Sequence, residues 1–235
     1  MAIAMAAVIV AGFSTQYLTG RSTFAARPLV HMHGIAFMGW VALFVAQSWL
    51  ATRGSMALHR TLGWIGAGWV VVMVLLSFLI IIDVTQRGTA PFFFLPQHFL
   101  IANPMTALVF ALLTAAAIRM RRQSDWHMRL HISAMVAIIG PGFGRLLPMP
   151  LLVPYAFEVT GLVGMLFIVA GMVRDRIRLG HVHKAWWLGL AANLAVIPLS
   201  AAIVYSPVGD AIYAAVTAGH PGADLPGLEF SPPPL

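Results

Sequence analysis

The chain contains no cysteine. This excludes disulfides, thiolate-bound metals, iron–sulfur clusters and c-type haem attached through cysteine, and it leaves histidine, carboxylate and methionine as possible metal ligands. Charge is also scarce. Only 9% of the 235 residues are Asp, Glu, Lys or Arg, against about a quarter in a soluble domain. Hydrophobic residues make up 60% and the mean hydropathy is +0.88. No soluble core of this size hides that much apolar surface, so the lipid bilayer is the expected solvent. The 14 basic residues outnumber the 7 acidic ones and raise the pI to about 11.1. They fall in short loops between apolar runs, where they act as topology signals and form no nucleic-acid-binding face.

The apolar runs predict an all-α membrane protein with seven transmembrane helices. The first covers Ala2 to Leu18; no Lys or Arg precedes it, so a retained helix is expected in preference to a cleaved signal peptide. The second covers Leu29 to Ala51, the third Thr61 to Asp83 and the fourth Gln97 to Met120. Pro28 suits the first turn of the second. Pro91-Phe92-Phe93-Phe94-Leu95-Pro96 is too short to span and is expected at the interface or dipping into the protein. The fifth helix, His127 to Leu147, carries Gly140-Pro141-Gly142, which should kink it or end it early. Pro154 to Val173 forms the sixth, and Ala185 to Tyr205 the seventh, with a kink expected at Pro198. No internal repeat or boundary divides residues 1–205, which read as one domain. Residues 206–235 read as a Pro/Gly-rich extramembrane tail with a short helix near Asp210 to Thr217.

Ten of the 14 basic residues fall in the loops two–three, four–five and six–seven; only Arg21, Arg27, Arg87 and Arg145 fall on the other side. The positive-inside rule then places the N-terminus inside and the tail outside, around a four-helix core of helices two to five. In that topology the histidines form two layers. His31, His33 and His98 lie toward the outer side, and His59, His127 and His131 toward the inner side. Ligand-capable groups inside a bundle are functional candidates, although those near helix ends also reach headgroups and water.

His31 and His33 are about 200° apart on an ideal helix, so only one faces the bundle centre, and the deeper His33 is the better candidate. His127 and His131, four apart, share a face and suit one ion. Asp83 and Glu158, near outer helix ends, could complete an acidic-histidine metal site or remain solvated charges. Arg60 and Arg129 could neutralise haem propionates, a quinone or a lipid head group, or serve only as positive-inside residues. Gln47, Asn103 and Asn193 suit interhelical hydrogen bonds better than ligation. His181-Val182-His183-Lys184 reads as a solvated loop. Gly34, Gly39, Gly63, Gly66 and Gly68 allow close helix approach or leave room for a flat cofactor.

Three motifs carry a resemblance: His31-x-His33-Gly34 followed by Trp40 and Gln47, then Leu58-His59-Arg60-x-Leu62-Gly63, then Trp126-His127-x-Arg129-Leu130. Over about Gly12 to Arg145 the chain resembles an uncharacterised family of bacterial multi-pass membrane proteins, a domain of unknown function. That resemblance implies the bacterial inner, cytoplasmic membrane and brings no activity with it. The histidine placement is more loosely similar to the cytochrome b561 architecture, in which such pairs ligate two b-type haems and pass electrons across the membrane. Carried over, the likeness implies an outer haem between His33 and His98 and an inner one between His59 and His131 or His127. The present histidines lie shallower: His33 to the end of its helix is about 17 residues, or roughly 26 Å. One haem, or two separate metal sites, fits that spacing equally.

The leading expectation is a membrane protein that binds haem b or another metal and transfers electrons, with quinone or another redox partner. A second is a non-haem enzyme using Fe, Cu or Zn held by His31, His33 and His98 with Asp83 or Glu158. A third is a non-catalytic subunit or transporter with structural histidines. The sequence sets no oligomeric state.

Overall fold

A computed structural model describes residues 1–232. Among them the chain forms nine α-helices and no strand: α1 Ala2–Leu18, α2 Pro28–Arg53, α3 Met56–Gln86, α4 Pro96–Arg119, α5 Ser124–Ala137, α6 Gly140–Leu146, α7 Ala156–Leu179, α8 Lys184–Val204 and α9 Pro207–Thr217. Five of these, α2, α3, α4, α7 and α8, are long and apolar enough to cross a membrane.

Local chemistry explains the boundaries. Pro28, Pro96 and Pro207 open α2, α4 and α9 in the first turn, where the missing N–H is harmless. The Ser55 hydroxyl caps α3 by accepting from the Leu58 N–H at 3.3 Å, and α7 stops at Gly180 with φ 76°, a left-handed cap. At 31 residues, α3 rises about 46 Å. It therefore overshoots a hydrocarbon core of roughly 30 Å at one end or both. The Gly140-Pro141-Gly142 break ends α5 at Ala137 and starts α6 with Pro141 in its first turn. Pro198, by contrast, sits inside an unbroken α8. The Phe92–Phe94 stretch is a half-buried turn and not a helix.

Helices α2 to α5 pack successively, as expected of a four-helix core, but the core does not belong to them alone. One buried cluster joins Met5 of α1, Trp40 of α2, Met73 of α3, Phe110 of α4, Leu130 and Met135 of α5, Ile168 of α7 and Trp186 of α8. Outward, α3 presents Val71, Leu75 and Leu79, α4 Leu112, α7 Leu166 and α8 Leu199. A soluble protein rarely leaves such continuous apolar faces bare; a lipid solvent requires them. Small residues set the close contacts. Gly39 faces the Trp69 ring, whose Nε1–H donates to the Ala36 carbonyl at 2.8 Å. Gly12 lies against Gly142, docking α1 on α6.

The turns α2–α3, α4–α5 and α7–α8 share one end of the bundle, the basic end. The opposite end carries the start of α2, the end of α3 and the tail. There the tail is folded: the Gln97 N–H donates to the Gly227 carbonyl at 2.9 Å, and its side-chain amide donates to Val204 O at 2.6 Å and Asp210 Oδ1 at 2.9 Å. The Tyr213 hydroxyl donates to Gly222 O, 3.0 Å, or Leu225 O, 3.1 Å. The short helix expected near Asp210 to Thr217 is α9; the irregular remainder is tied to α3 and α4 as far as it is described. Of Ser231-Pro232-Pro233-Pro234 and the final Leu235, only the first two lie within the described residues.

Gly189 of α8 lies against the Ser133 side chain of α5, so a methyl group there collides with it. Gly189→Ala should destabilise the protein by about 1–3 kcal/mol, read as a lower thermal unfolding midpoint in detergent. Adding Ser133→Gly should recover part of that loss; no recovery argues against this contact.

Candidate functional site

Three histidines meet at the basic end. His59 lies in the first turn of α3, while His127 and His131 stand one turn apart on α5. The His59 and His127 ring centres are 6.1 Å apart with planes at 84°, and those of His127 and His131 are 4.7 Å apart at 85°. Two imidazoles bound to one ion at about 2 Å place their ring centres roughly 5–6.5 Å apart, from tetrahedral to linear arrangements. The His59–His127 spacing falls inside that range and the His127–His131 spacing just below it. As the side chains stand, no three His, Asp or Glu groups among the described residues are placed to hold a metal ion, so ligation by all three histidines requires the rings to move.

The supporting groups suit ligation. Nδ1 of His127 lies 2.8 Å from the Ala117 carbonyl; a carbonyl only accepts, so Nδ1 carries the hydrogen and Nε2 keeps its lone pair. Nδ1 of His59 is buried without a partner. Gln47 spans from α2 to α3, its amide donating to the His59 carbonyl at 3.1 Å. Arg60 is exposed beside the cluster.

Arg129 is engaged elsewhere. Only 4% exposed, it grips Asp175 of α7 with Nε and Nη2, both at 2.8 Å, and reaches the Asp125 carbonyl and carboxylate through Nη1 at 2.9 and 3.0 Å. The same Asp175 carboxylate accepts from Trp186 Nε1–H at 3.0 Å. Trp126 packs its ring edge against His183, 5.2 Å between centres. The Trp-His-x-Arg motif thus divides its work: His127 joins the cluster, while Trp126 and Arg129 bind α5 to α7 and the start of α8. Burial, aided by the nearby Arg129 charge, holds the His183 imidazole below the ordinary histidine range; its Nδ1 accepts from the Ala185 N–H at 3.1 Å and caps α8. Asp175 and Trp186 escaped the sequence reading. The signal that could have found Asp175 is its isolation as the one acid within Arg174-Asp175-Arg176-Ile177-Arg178.

The opposite-end candidates are dispersed. His33 stacks on Phe37 of its own helix, 4.3 Å between ring centres, and its Nδ1 is buried without a partner. His98 is 8% exposed and packs on Phe157 of α7 at 4.9 Å. His31 bonds the Phe24 carbonyl at 3.1 Å, and Asp83 pairs with Arg27 at 2.5 Å. Glu158, next to Phe157, has a buried Oε2 without a partner. Of the set His31, His33, His98, Asp83 and Glu158, only His98 and Glu158 are thereby left as neighbours. Asn193 makes its expected interhelical bond, to Ser133 O at 3.1 Å, whereas Asn103 turns back to Phe99 O of its own helix at 2.8 Å.

Removing one partner of a buried ion pair strands the other, which typically costs about 3–5 kcal/mol. Asp175→Ala and Arg129→Ala should each lower the unfolding midpoint strongly, and Arg129→Met with Asp175→Leu should restore much of it. Equal loss in the single and double variants argues for lost packing instead of a stranded charge. No family model matches this chain, and no curated protein and no solved structure is similar to it.

Proposed function

We propose that this protein crosses the bacterial cytoplasmic membrane seven times, N-terminus inside, and holds a metal centre for electron transfer at the basic end. Two further crossings, α1 and the broken α5–α6 pair, join the five long apolar helices. What supports α1 as a crossing is its length, 17 mostly apolar residues or about 26 Å of rise. The orientation rests on the excess of arginine at the basic end.

The observation that carries the metal reading is the contact of three imidazoles from α3 and α5, with the His127 lone pair fixed by Ala117. Haem b is the first reading of the group: His59 with His127 or His131 would hold its iron, and the exposed Arg60 would be available to its carboxylates. Perpendicular rings 6.1 Å apart suit two ligands of one iron. The third ring favours a second reading, a bare Fe, Cu or Zn ion held by all three histidines. Haem, iron or copper supplies one-electron chemistry when bound; the protein's part is to orient the imidazoles and shield them from water.

Absorption spectroscopy and metal analysis of the purified protein test this. A Soret band with sharp reduced α bands supports haem, and colourless protein with equimolar iron, copper or zinc supports the bare ion. His59→Ala and His131→Ala should lower the bound group severalfold, while Arg129→Met with Asp175→Leu should leave it in place. Metal-free, colourless protein from metal-replete cells refutes the proposal. The chain has no cysteine, so single substitutions report topology cleanly. Ser206→Cys should react with an impermeant maleimide in spheroplasts and Ser55→Cys only after lysis; the reverse pattern overturns the orientation.

A further inference from the structure

At the opposite end, the first turns of α4 and α7 carry two polar side chains, each with one atom that no described residue satisfies. His98 is 8% exposed and its Nε2 is buried without a hydrogen-bond partner; the Glu158 Oε2 is likewise buried and unpartnered. Phe157, whose ring centre lies 4.9 Å from that of His98, directly precedes Glu158 on α7 and places the two polar side chains in one neighbourhood. Leaving such atoms unpaired is costly in a low-dielectric setting, so a group that bonds to both gains what the fold has left unmade.

The surroundings restrict what that group is. The His98 ring packs on Phe157 at 4.9 Å; Phe157 meets Phe94 at 6.4 Å, and Phe94 meets Phe99 at 5.9 Å. An imidazole and a carboxyl therefore sit at the edge of a run of aromatic faces. Around them, Asp83 pairs with Arg27, His31 bonds the Phe24 carbonyl, Asp210 accepts from Gln97, and His33 stacks on Phe37 of its own helix. Two polar atoms beside a cluster of aromatic rings suit a flat molecule with oxygen atoms on its rim and an apolar body, arriving from the lipid phase.

We propose that His98 and Glu158 bind the head group of a quinone or quinol drawn from the bilayer, its ring against Phe157 and its oxygens on His98 Nε2 and Glu158 Oε2. The site is separate from the histidine cluster of α3 and α5 and does not depend on a metal being bound there.

Titration calorimetry of the full-length protein in detergent, with a short-tailed benzoquinone and its quinol as probes, tests the site. Saturable, equimolar binding by at least one of the two probes is expected. His98→Leu and Glu158→Gln should each weaken it about tenfold, the effect of losing one hydrogen bond of roughly 1.4 kcal/mol. Phe157→Leu, which keeps both polar groups, should weaken it severalfold, and His31→Gln should leave it unchanged. Unfolding midpoints of the variants separate loss of the site from loss of the fold. Absence of saturable binding, His98 and Glu158 variants that bind as tightly as the unaltered protein, or a metal ion found on this pair overturns the proposal. Metal content measured on the same samples reports the α3–α5 cluster independently, so either reading can fail alone.

Discussion

The two-pronged grip of Arg129 on Asp175 is the contact on which the basic end is built. A guanidinium buried this deeply persists only where its donors are met, and here one carboxylate meets two of them while Asp125 takes a third. Because Trp186 also donates to that carboxylate, one acid of α7 fixes α5 and α8 at once. The positions of His127 and His131 follow from it, since they ride on the same two turns of α5 as Arg129. The candidate site is thus held in place by a pair that takes no part in it.

Gln97 has the corresponding place at the other end. Its backbone and side chain together bind Gly227, Val204 and Asp210, seating the tail over the starts of α4 and α9. Each end of the bundle is therefore closed by one deeply buried polar residue that gathers three segments. The middle is held mainly by apolar packing, with isolated interhelical bonds from Trp69 to the Ala36 carbonyl and from Asn193 to the Ser133 carbonyl, as expected where water is excluded and unmet polar groups are expensive. The candidate sites lie close beside these closures, where helix ends leave room for polar side chains.

Much of the fold was legible in the sequence because its signals are local. Long apolar runs bounded by Pro28, Pro96 and arginines place α2, α4 and α8 closely, whereas α3 starts earlier than Thr61, at Met56, and α7 runs past Val173 to Leu179; Gly140-Pro141-Gly142 marks the break after α5. The meeting of His59 with His127 and His131 was also foreseeable, because alternating helix directions bring those ends together. The identity of Arg129's partner was not. Asp175 is far away in sequence and sits among arginines that look like ordinary topology signals, so nothing local tells it apart. His33 and His98 show the opposite limit: helix direction puts them at one end, yet ring packing on Phe37 and Phe157 decides what each touches.

The contact of Gly12 with Gly142 bears on how the molecule is made. Helix α1 emerges first, but the surface it rests on is encoded roughly 130 residues later, a delay on the order of ten seconds at ordinary synthesis rates. During that interval α1 lacks its seat on α6 and has only α2 and lipid for neighbours. Docking of α1 on α6 therefore waits on more than half of the chain, so a change at Gly12 or Gly142 would act on that docking while leaving the pairing of α2 with α3 untouched.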